Sequence, residues 1–364
     1  MIRHIVFFVA VTVVATHIFR LAYYLGYFKT IINHQPGSCR LVPGIENGAE
    51  DITVSSDGLA FISSGIAGKG YITDPRACPP NIKGRIFLFD IRNPEDNVKE
   101  LTLQGDFDRE NFFPHGISLY EAPDTGEKRL FVVSHHPTTH EDKIEIFRFD
   151  KRTYSLIHLK TVTGKTLYSV NDLVVLGPET FYFSNDHYFV KPSLRQIEGL
   201  ALLGWGSIGF YNNGEEKIVA SGFHFANGIN VSPDHKYIYL AEAMSGDVSV
   251  FEIQKDYSLV EKKKIHLNIG VDNIEIDKPT GELWIGCHPR VKEWFDFSQN
   301  IDSKAGAQVL RIQFGSDLDK VNVTDVFVDD GGMLKGGSSA SFYRNRLLIG
   351  TVAHKMAYCE IGPY

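Results

Sequence analysis

Past about residue 40 the chain alternates short apolar stretches with polar turns and shows no long amphipathic helical periodicity. One unit recurs, in which a turn of Asp, Gly, Pro or Asn leads into a short strand rich in aromatic and β-branched residues. Its copies are SSDGLAFISS, APDTGEKRLFVVSHH, LGPETFYFSND, SPDHKYIYLAEA, KPTGELWIGCH and YRNRLLIGTVAH. The copies start roughly fifty to sixty residues apart, which is the length of a four-stranded antiparallel blade with its loops. The repeat predicts an all-β, six-bladed propeller.

Further strand candidates lie between the copies, namely GRIFLFDI, KIEIFRFD, GDVSVFEI and AQVLRIQF. Each alternates or is nearly continuous in apolar residues, as the middle strands of a stacked blade should be. A β-sandwich is the alternative, but a sandwich of this length would need two domains, and no linker marks a boundary. We therefore predict one propeller domain over residues 29–364.

The first 28 residues have a different pattern. An apolar run over residues 5–16 is followed, after Arg20, by a second apolar run over residues 21–28. The first run has the length of a signal-peptide core, whereas the whole segment can span a bilayer if Arg20 reaches an interface. We predict that residues 1–28 form a retained anchor or uncleaved signal, and that the rest is lumenal or extracellular. A cleaved signal is the alternative.

Charge and cysteine content narrow the function classes. A formal net charge of −7 gives no basic surface for a phosphate backbone, which argues against nucleic acid as a partner. The four cysteines lack the C-x-x-C spacing of a zinc site. Cys39 and Cys359 lie at opposite ends of the folded part, where a bridge would tie the first strand to the last; two unrelated buried thiols are the alternative. A bridge would indicate an oxidising compartment.

Small polar clusters lie a few residues upstream of the repeats, at an equivalent place in each unit. They are Glu50-Asp51, His115-Gly116, Asn171-Asp172, Asn227, Asp272-Asn273 and Ser338-Ser339. In a propeller, equivalent positions near the start of each innermost strand point at the central channel. Convergent carboxylate and amide oxygens without thiolates suit calcium better than magnesium, which demands a tighter geometry. Any single cluster could instead be a turn or a strand-end cap.

Histidines from one blade region could supply a proton acceptor. His115 lies in FFPHGIS, and His135 and His136 lie in VVSHHP. Histidine is the usual general base at neutral pH, although a structural histidine is the alternative for each. The chain has no G-x-S-x-G elbow and no H-E-x-x-H motif, so a serine hydrolase or zinc protease has no local support.

The motifs together resemble those of a known family. GIENGAEDI, NFFPHGIS, SVNDLVVLGP, SNDHYF, FANGINVSPD, VDNIEID, GELWIGCHP and HKMAYCE are similar in order and spacing to the paraoxonase/arylesterase family, from about Cys39 to Glu360. The resemblance implies two calcium ions in the channel. For the catalytic ion it implies the ligands Glu50, Asn171, Asn227, Asp272 and Asn273. For the structural ion it implies Asp51, Asp172 and the backbone carbonyl of Ile117.

The resemblance also implies roles for other residues. The family's histidine pair maps to His115 and His135, with His136 as a rival because of the extra residue in SHHP. The pocket-lining residues that it implies are Asp186, His187, Phe225 and His288. It further implies a disulfide between Cys39 and Cys359, and a free thiol at Cys287. Cys78 and the long loop GKGYITDPRACPPN depart from the vertebrate pattern and leave the substrate specificity open.

The activity that the resemblance implies is calcium-dependent hydrolysis of aryl esters and lactones, with small-molecule esters or lactones as partners. Membrane-anchored nematode relatives look like chaperones for ion-channel assembly in the endoplasmic reticulum, so a chaperone with a membrane-protein client is the rival hypothesis. A carrier of hydrophobic ligands is a third. Asn322 heads the sequon Asn322-Val323-Thr324 and is expected to carry a glycan; Asn230 also heads a sequon, but in a predicted inner strand.

Overall fold

The computed structural model describes residues 2–66, 82–137, 139–315 and 318–362. Within them, the strands form six sheets arranged around one axis. The innermost strand of each sheet contacts the innermost strand of the next sheet. The six-bladed propeller predicted from the repeats is confirmed. Cys78 and the whole loop GKGYITDPRACPPN lie outside the described residues.

The elements follow one another in a regular order. Helix α1 (Ile2–Tyr24) precedes strand β1 (Gly37–Leu41). Blade one holds β2 (Ile52–Val54), β3 (Leu59–Ser64), β4 (Arg85–Asp90) and β5 (Lys99–Glu100). Blade two holds β6 (Thr102–Gln104), β7 (Pro114–Glu121), β8 (Lys128–His135), β9 (Asp142–Asp150) and β10 (Ser155–Val162). Blade three holds β11 (Val170–Gly177), β12 (Thr180–Asn185), β13 (Gly206–Asn212) and β14 (Glu215–Phe223), with helix α2 (Pro192–Leu200) inserted after β12.

The last three blades complete the ring. Blade four holds β15 (Ala226–Val231), β16 (Tyr237–Glu242), β17 (Asp247–Ile253) and β18 (Leu259–His266). Blade five holds β19 (Gly270–Asp277), β20 (Glu282–His288), helix α3 (Val291–Gln299), β21 (Ala307–Phe314) and β22 (Val321–Asp329). Blade six holds β23 (Gly337–Tyr343), β24 (Arg346–Thr351) and β25 (Ala357–Ile361), and β1 supplies its outer strand.

The recurring sequence unit is the turn and second strand of each blade. In blade one, Ser55 Oγ donates to Asp57 Oδ1 at 2.6 Å. In blade four, Ser232 Oγ makes the same bond to Asp234 Oδ1 at 2.6 Å. Short polar side chains that bond within a turn stabilise it. Turn residues such as Asp, Asn, Gly and Pro therefore recur where the chain reverses between the first and second strands.

The ring closes through the two ends of the propeller. Strand β1 pairs antiparallel with β25, in a register that places Cys39 opposite Cys359. The two residues form a disulfide across 320 positions of the chain, which confirms the pairing implied by the resemblance. Cys287 is a buried free thiol. Apolar side chains fill the space between blades, and Trp284 of blade five stacks on Phe342 of blade six at 4.5 Å between ring centroids.

Helix α1 is 23 residues long and apolar enough to cross a membrane by length and composition. Its residues are exposed or half-buried, and its C-terminal end rests on the propeller. The backbone N–H of Lys292 donates to the carbonyl of Leu25 at 3.0 Å, and the guanidinium of Arg290 donates to the carbonyl of Lys29. The end of α1 is therefore attached to the start of α3.

Candidate active site and metal centre

A single structural device brings the polar clusters to the channel. At the start of β11 the pairing with β12 shifts between Val170 and Leu173, so that two residues, Asn171 and Asp172, oppose one on the neighbouring strand. The same register shift occurs at the start of β7, β15, β19 and β23. A β-bulge of this kind redirects side chains and interrupts the ladder. The bulge explains why the sequence carries polar residues at the same position in these five repeats.

A cavity of about 460 Å³ opens where these bulges meet. Glu50, Asn171, Asn227 and Asp272 line it from four blades. Its walls are largely apolar or aromatic. They include Leu21 of α1, Leu200 of α2, Trp294 and Phe295 of α3, and Leu25 and Val190 from the segments beside α1 and α2. A mostly apolar cavity with a few convergent polar groups has the character of a small-molecule site.

Four of the convergent oxygens have no hydrogen-bond partner within the described part of the chain. They are Glu50 Oε2, Asn171 Oδ1, Asn227 Oδ1 and Asn273 Oδ1. A buried acceptor without a partner costs about 1–3 kcal/mol, so four that share one site call for a cation. Each belongs to a residue that the family resemblance implies as a ligand of the catalytic calcium ion. Among the described residues no group of three His, Cys, Asp or Glu side chains suits a metal by itself, because the donors here include asparagine amides.

The remaining residue of that ligand set is already engaged. Asp272 Oδ2 lies 2.8 Å from His288 Nε2. His288 is buried and packs on Trp294. Trp294 and Asp272 line the cavity, but His288 does not and lies behind Asp272. A histidine that bonds a carboxylate from behind orients it toward a metal, which is a common outer-shell arrangement.

A second acidic pair lies deeper in the channel. Asp51 accepts hydrogen bonds from the backbone N–H of Ile52 and Ile117, both at 2.8 Å, and Asp172 accepts them from Leu173 and Ile229. Burial raises the pKa of both carboxyls well above the usual range, and for Asp51 repulsion from Asp172 raises the pKa further. Two buried carboxylates that repel each other fit a divalent cation between them.

Glycine makes this close approach feasible. A Cβ on Gly116 would lie 2.4 Å from Asp172 Oδ1, so any larger residue would force β7 and β11 apart. The backbone N–H of Ile117 donates to Asp51 Oδ2 at 2.8 Å. Ser338 and Ser339, the last of the matched clusters, donate instead to the backbone carbonyls of Glu50 and Ala49.

His115 pairs with His135 and not with the rival His136. His115 Nδ1 lies 2.9 Å from His135 Nε2, and His135 Nδ1 lies 2.7 Å from Asp142 Oδ1. Burial opposes the charged form of His115, but the carboxylate of Glu50 outweighs burial and raises the pKa of His115. Burial lowers the pKa of His135. His136 is turned toward Asp108 and accepts from the backbone N–H of Thr139.

Three of the four residues that the resemblance implies for the pocket line the cavity, namely Asp186, His187 and Phe225. His187 Nδ1 lies 2.9 Å from Asp186 Oδ1, and the carboxyl of Asp186 is buried. That burial works against ionisation, but His187 and Arg195 outweigh it and lower the pKa of Asp186. The His187 and Phe225 rings meet edge to face at 4.7 Å between centroids. Together they form one wall.

Sequence reasoning missed several members of the site. Asp142, which orients His135, is one acidic residue at the start of a strand, and nothing in its neighbourhood distinguishes it from other turn residues. Leu21 and Leu25 were assigned to the membrane segment, and only the folded chain shows that they reach the cavity.

Comparison with known proteins identifies the family of the chain. The sequence profile of the family described as Arylesterase matches residues 30–361. The chain is 42% identical to human serum paraoxonase/arylesterase 1 over 326 residues, which cover 89% of each chain. It is also 42% identical to serum paraoxonase/lactonase 3 of Oryctolagus cuniculus over 327 residues, or 90% of each. The chain belongs to the arylesterase family.

The fold of this arylesterase-family protein is shared more widely than its sequence. A luciferin-regenerating enzyme superposes with a TM-score of 0.53 at 11% identity, covering 88% of this chain and 94% of that one. Such low identity shows the propeller alone. In this arylesterase-family chain, Glu50, His115, Asn171, Asn227 and Asp272, which the family motifs singled out, all line the cavity.

Proposed function

We propose that this arylesterase-family protein is a calcium-dependent hydrolase that cleaves aryl esters and opens lactones. One observation carries the proposal: four unpartnered buried oxygens lie in one site with a paired histidine, beside an apolar cavity large enough for a small ester. The relatives described above are named as an arylesterase and a lactonase.

Two calcium ions fit the donors. The residues that would hold the catalytic ion are Glu50, Asn171, Asn227, Asp272 and Asn273. Asp51, Asp172 and the backbone carbonyl of Ile117 would hold the structural ion. When bound, the catalytic ion supplies a Lewis acid that polarises the ester carbonyl and stabilises the developing oxyanion.

His115 and His135 accept and stabilise the proton that the attacking water loses. A carboxylate only accepts hydrogen bonds, so Asp142 places a proton on Nδ1 of His135 and leaves its Nε2 as an acceptor. His115 then donates from Nδ1 to His135, which leaves the lone pair on its own Nε2, at 3.3 Å from Glu50 Oε1. His115 Nε2 therefore takes a proton from the attacking water, and His135 with Asp142 stabilises the resulting imidazolium.

The walls select and shield the substrate. His187 and Phe225 present an aromatic edge and face, while Leu21 and Leu25 supply apolar surface from α1. Exclusion of water by these side chains strengthens the electrostatic contacts around the reacting ester.

The N-terminal segment and the disulfide indicate the compartment. We propose that α1 is retained as a membrane anchor and that the propeller, residues 29–364, lies in the lumen or outside the cell. A disulfide persists in an oxidising compartment, which supports this placement. The chaperone hypothesis gains no support from the comparisons, because the relatives described above are named for esterase or lactonase activity.

The test is hydrolysis of phenyl acetate and of a γ- or δ-lactone by the purified full-length protein in detergent. We expect both activities to disappear with a calcium chelator and to return on titration with calcium. Calcium binding without hydrolysis of either substrate above background would reject the enzyme proposal. Undiminished activity in chelator would reject the calcium requirement alone.

A further inference from the structure

Phe225 forms part of the cavity wall on a strained backbone. Its φ of 63° lies in the left-handed region, which a bulky residue other than glycine rarely adopts. The segment lies just before β15, two residues upstream of Asn227, and the Phe225 ring contacts His187. Such a conformation persists only where the surroundings hold it, so the neighbours of Phe225 decide where its ring points.

A buried glutamate holds this turn. The backbone N–H of His224 donates to Glu242 Oε2 at 3.2 Å, and Glu242 is fully buried at the end of β16. Two backbone bonds support the same turn, from Ala243 N–H to the carbonyl of Phe225 at 3.0 Å and from Met244 N–H to the carbonyl of His224 at 3.3 Å. The Glu242 carboxylate and the residues that follow it therefore hold the backbone of His224 and Phe225 in place.

The second oxygen of Glu242 is held by the outer strands of blade four. Lys264 Nζ donates to Oε1 at 2.7 Å and Ser249 Oγ donates at 2.8 Å. Ser249 and Lys264 face each other in the register of β17 and β18. The contacts thus form a continuous polar chain from the outer edge of the blade, through Glu242, to the backbone beside the cavity.

We propose that Glu242, fixed by Lys264 and Ser249, is a positioning residue for Phe225 and thereby sets how bulky an ester group the cavity admits. This inference rests on the proposed hydrolase function, since it concerns the selectivity of that reaction. Glu242 does not line the cavity. It acts through the turn at His224 that presents the Phe225 ring.

The charge on Glu242 matters to this role. Burial works against ionisation, but hydrogen bonds from His224, Lys264 and Ser249 and the positive charge of Lys264 outweigh it and lower the pKa of Glu242 to about 2. The group is therefore a carboxylate at neutral pH, and hydrogen bonds to a charged acceptor are stronger than those to a neutral one. Loss of the cation leaves a buried carboxylate without its partner, which then either takes up a proton or moves, and both changes weaken its hold on the turn.

The experiment compares selectivity between 2-naphthyl acetate and phenyl acetate, as the ratio of the two kcat/KM values. We expect Glu242→Gln and Lys264→Met to change this ratio by about tenfold, mainly through KM, because a small displacement of a wall residue alters fit more than chemistry. Lys264→Arg, which keeps the cation, should behave as wild type. The matched controls are Glu252→Gln and Lys262→Met. These two residues form an ion pair between β17 and β18, away from the cavity.

A double-mutant cycle identifies the route. If Glu242 acts through Phe225, Glu242→Gln should have no further effect on the ratio in a Phe225→Ala background. An equal effect in both backgrounds would overturn the proposal, as would an unchanged ratio in both single variants. Ser249→Ala removes one bond to Glu242 and serves if a charge variant does not fold.

Amide hydrogen exchange separates this inference from the proposed activity. Exchange of the peptide that spans residues 222–228 should accelerate about tenfold in Glu242→Gln and Lys264→Met and stay at the wild-type rate in the controls. The His224 N–H would bond a neutral, weaker acceptor in the first variant and a carboxylate no longer fixed by Lys264 in the second. Unchanged exchange in both charge variants would overturn the positioning role even if the wild type is active. A wild-type protein that hydrolyses neither ester would count against the proposed function, and exchange would still decide whether Glu242 holds the turn.

Discussion

Asp142 fixes the orientation of His135: the carboxylate Oδ1 lies 2.7 Å from His135 Nδ1, while its Oδ2 accepts the backbone N–H of Val170 at 2.6 Å. The histidine is thus tied to the backbone of the next blade. The same bond selects the tautomer that leaves His115 Nε2 basic.

Asp142→Asn should therefore impair hydrolysis while the propeller stays folded. An amide in place of the carboxylate no longer favours the proton on His135 Nδ1, and loss of an outer-shell partner typically costs about 10- to 100-fold in activity. Steady-state kinetics with phenyl acetate, beside a circular dichroism melt, measure the two quantities. A variant with wild-type kcat would show that the tautomer is set elsewhere.

His115→Gln is the sharper test of the proposed base. General-base assistance contributes a factor of about a hundred to ten thousand, so lactonase turnover should fall by that much. Calcium affinity and melting temperature should stay nearly unaltered, since glutamine is close in size. His266→Gln, at a mostly exposed histidine of β18, is the matched control. His136→Gln should cost much less than His115→Gln, and the reverse order would reassign the base.

The two calcium ions should have separable roles. Asp51→Ala or Asp172→Ala leaves the other carboxylate buried and uncompensated, which should lower the free energy of unfolding by about 3–5 kcal/mol. Asn273→Ala removes one unpartnered oxygen of the proposed catalytic calcium site, so the protein should fold and lose hydrolysis. Thermal melts at fixed calcium concentration rank the variants. The opposite ranking would show that the two ligand sets are assigned to the wrong ions.

A glycan is expected at Asn322 and not at Asn230. Asn322 is exposed on β22, the outer strand of blade five, whereas Asn230 is half-buried on β15 and donates to the carbonyl of Ile274 at 2.7 Å. Glycosidase treatment of protein from eukaryotic cells should increase the gel mobility of the wild type and of Asn230→Gln. Asn322→Gln should already migrate at the faster position. An unchanged wild-type mobility would argue against a lumenal propeller or against use of this site.

Acid should remove the stabilisation that Glu242 contributes. Its pKa is about 2 in the folded protein and near the ordinary 4.5 when unfolded, so the contribution is fully present above pH 4.5 and is lost as the pH falls toward 2. The shift corresponds to about 3 kcal/mol at neutral pH. Glu242→Gln should therefore be less stable than wild type by about that amount at pH 7. Urea unfolding at descending pH should show the gap narrowing below pH 4.5; a gap that does not change with pH would contradict the ion pair.

Prediction from the sequence succeeded where one physical cause acts in every blade. The register shift at the start of the inner strands demands a polar pair at one phase of the repeat, and so Asn171-Asp172 and Asp272-Asn273 could be recognised as equivalent before any contact was known. The turn between the first two strands recurs for a similar reason. Periodicity carries such information because each blade solves the same packing problem.

Prediction from the sequence failed for contacts that are not repeated from blade to blade. Asp142 and Glu242 are single acidic residues at a strand start and a strand end, and nothing in the sequence distinguishes them from the other carboxylates at such positions. The attachment of Leu25 to Lys292 joins segments far apart in sequence and depends on how α1 lies on the propeller. Neither helix α2 nor helix α3 was predicted, because nine residues are too few for a clear helical period.

The closure of the ring has a consequence for biosynthesis. Strand β1 leaves the ribosome early, but its partner β25 lies at the other end of the chain, 320 residues later by the positions of the two cysteines. At about 5–20 residues per second, a ribosome needs roughly 16–64 s to cover that interval. For this time β1 waits as an unpaired edge with a reduced thiol, open to pairing with another chain. Blades one to five can form during translation, whereas the sixth is a post-translational event, and a nascent chain that stops short of residue 357 can never complete it.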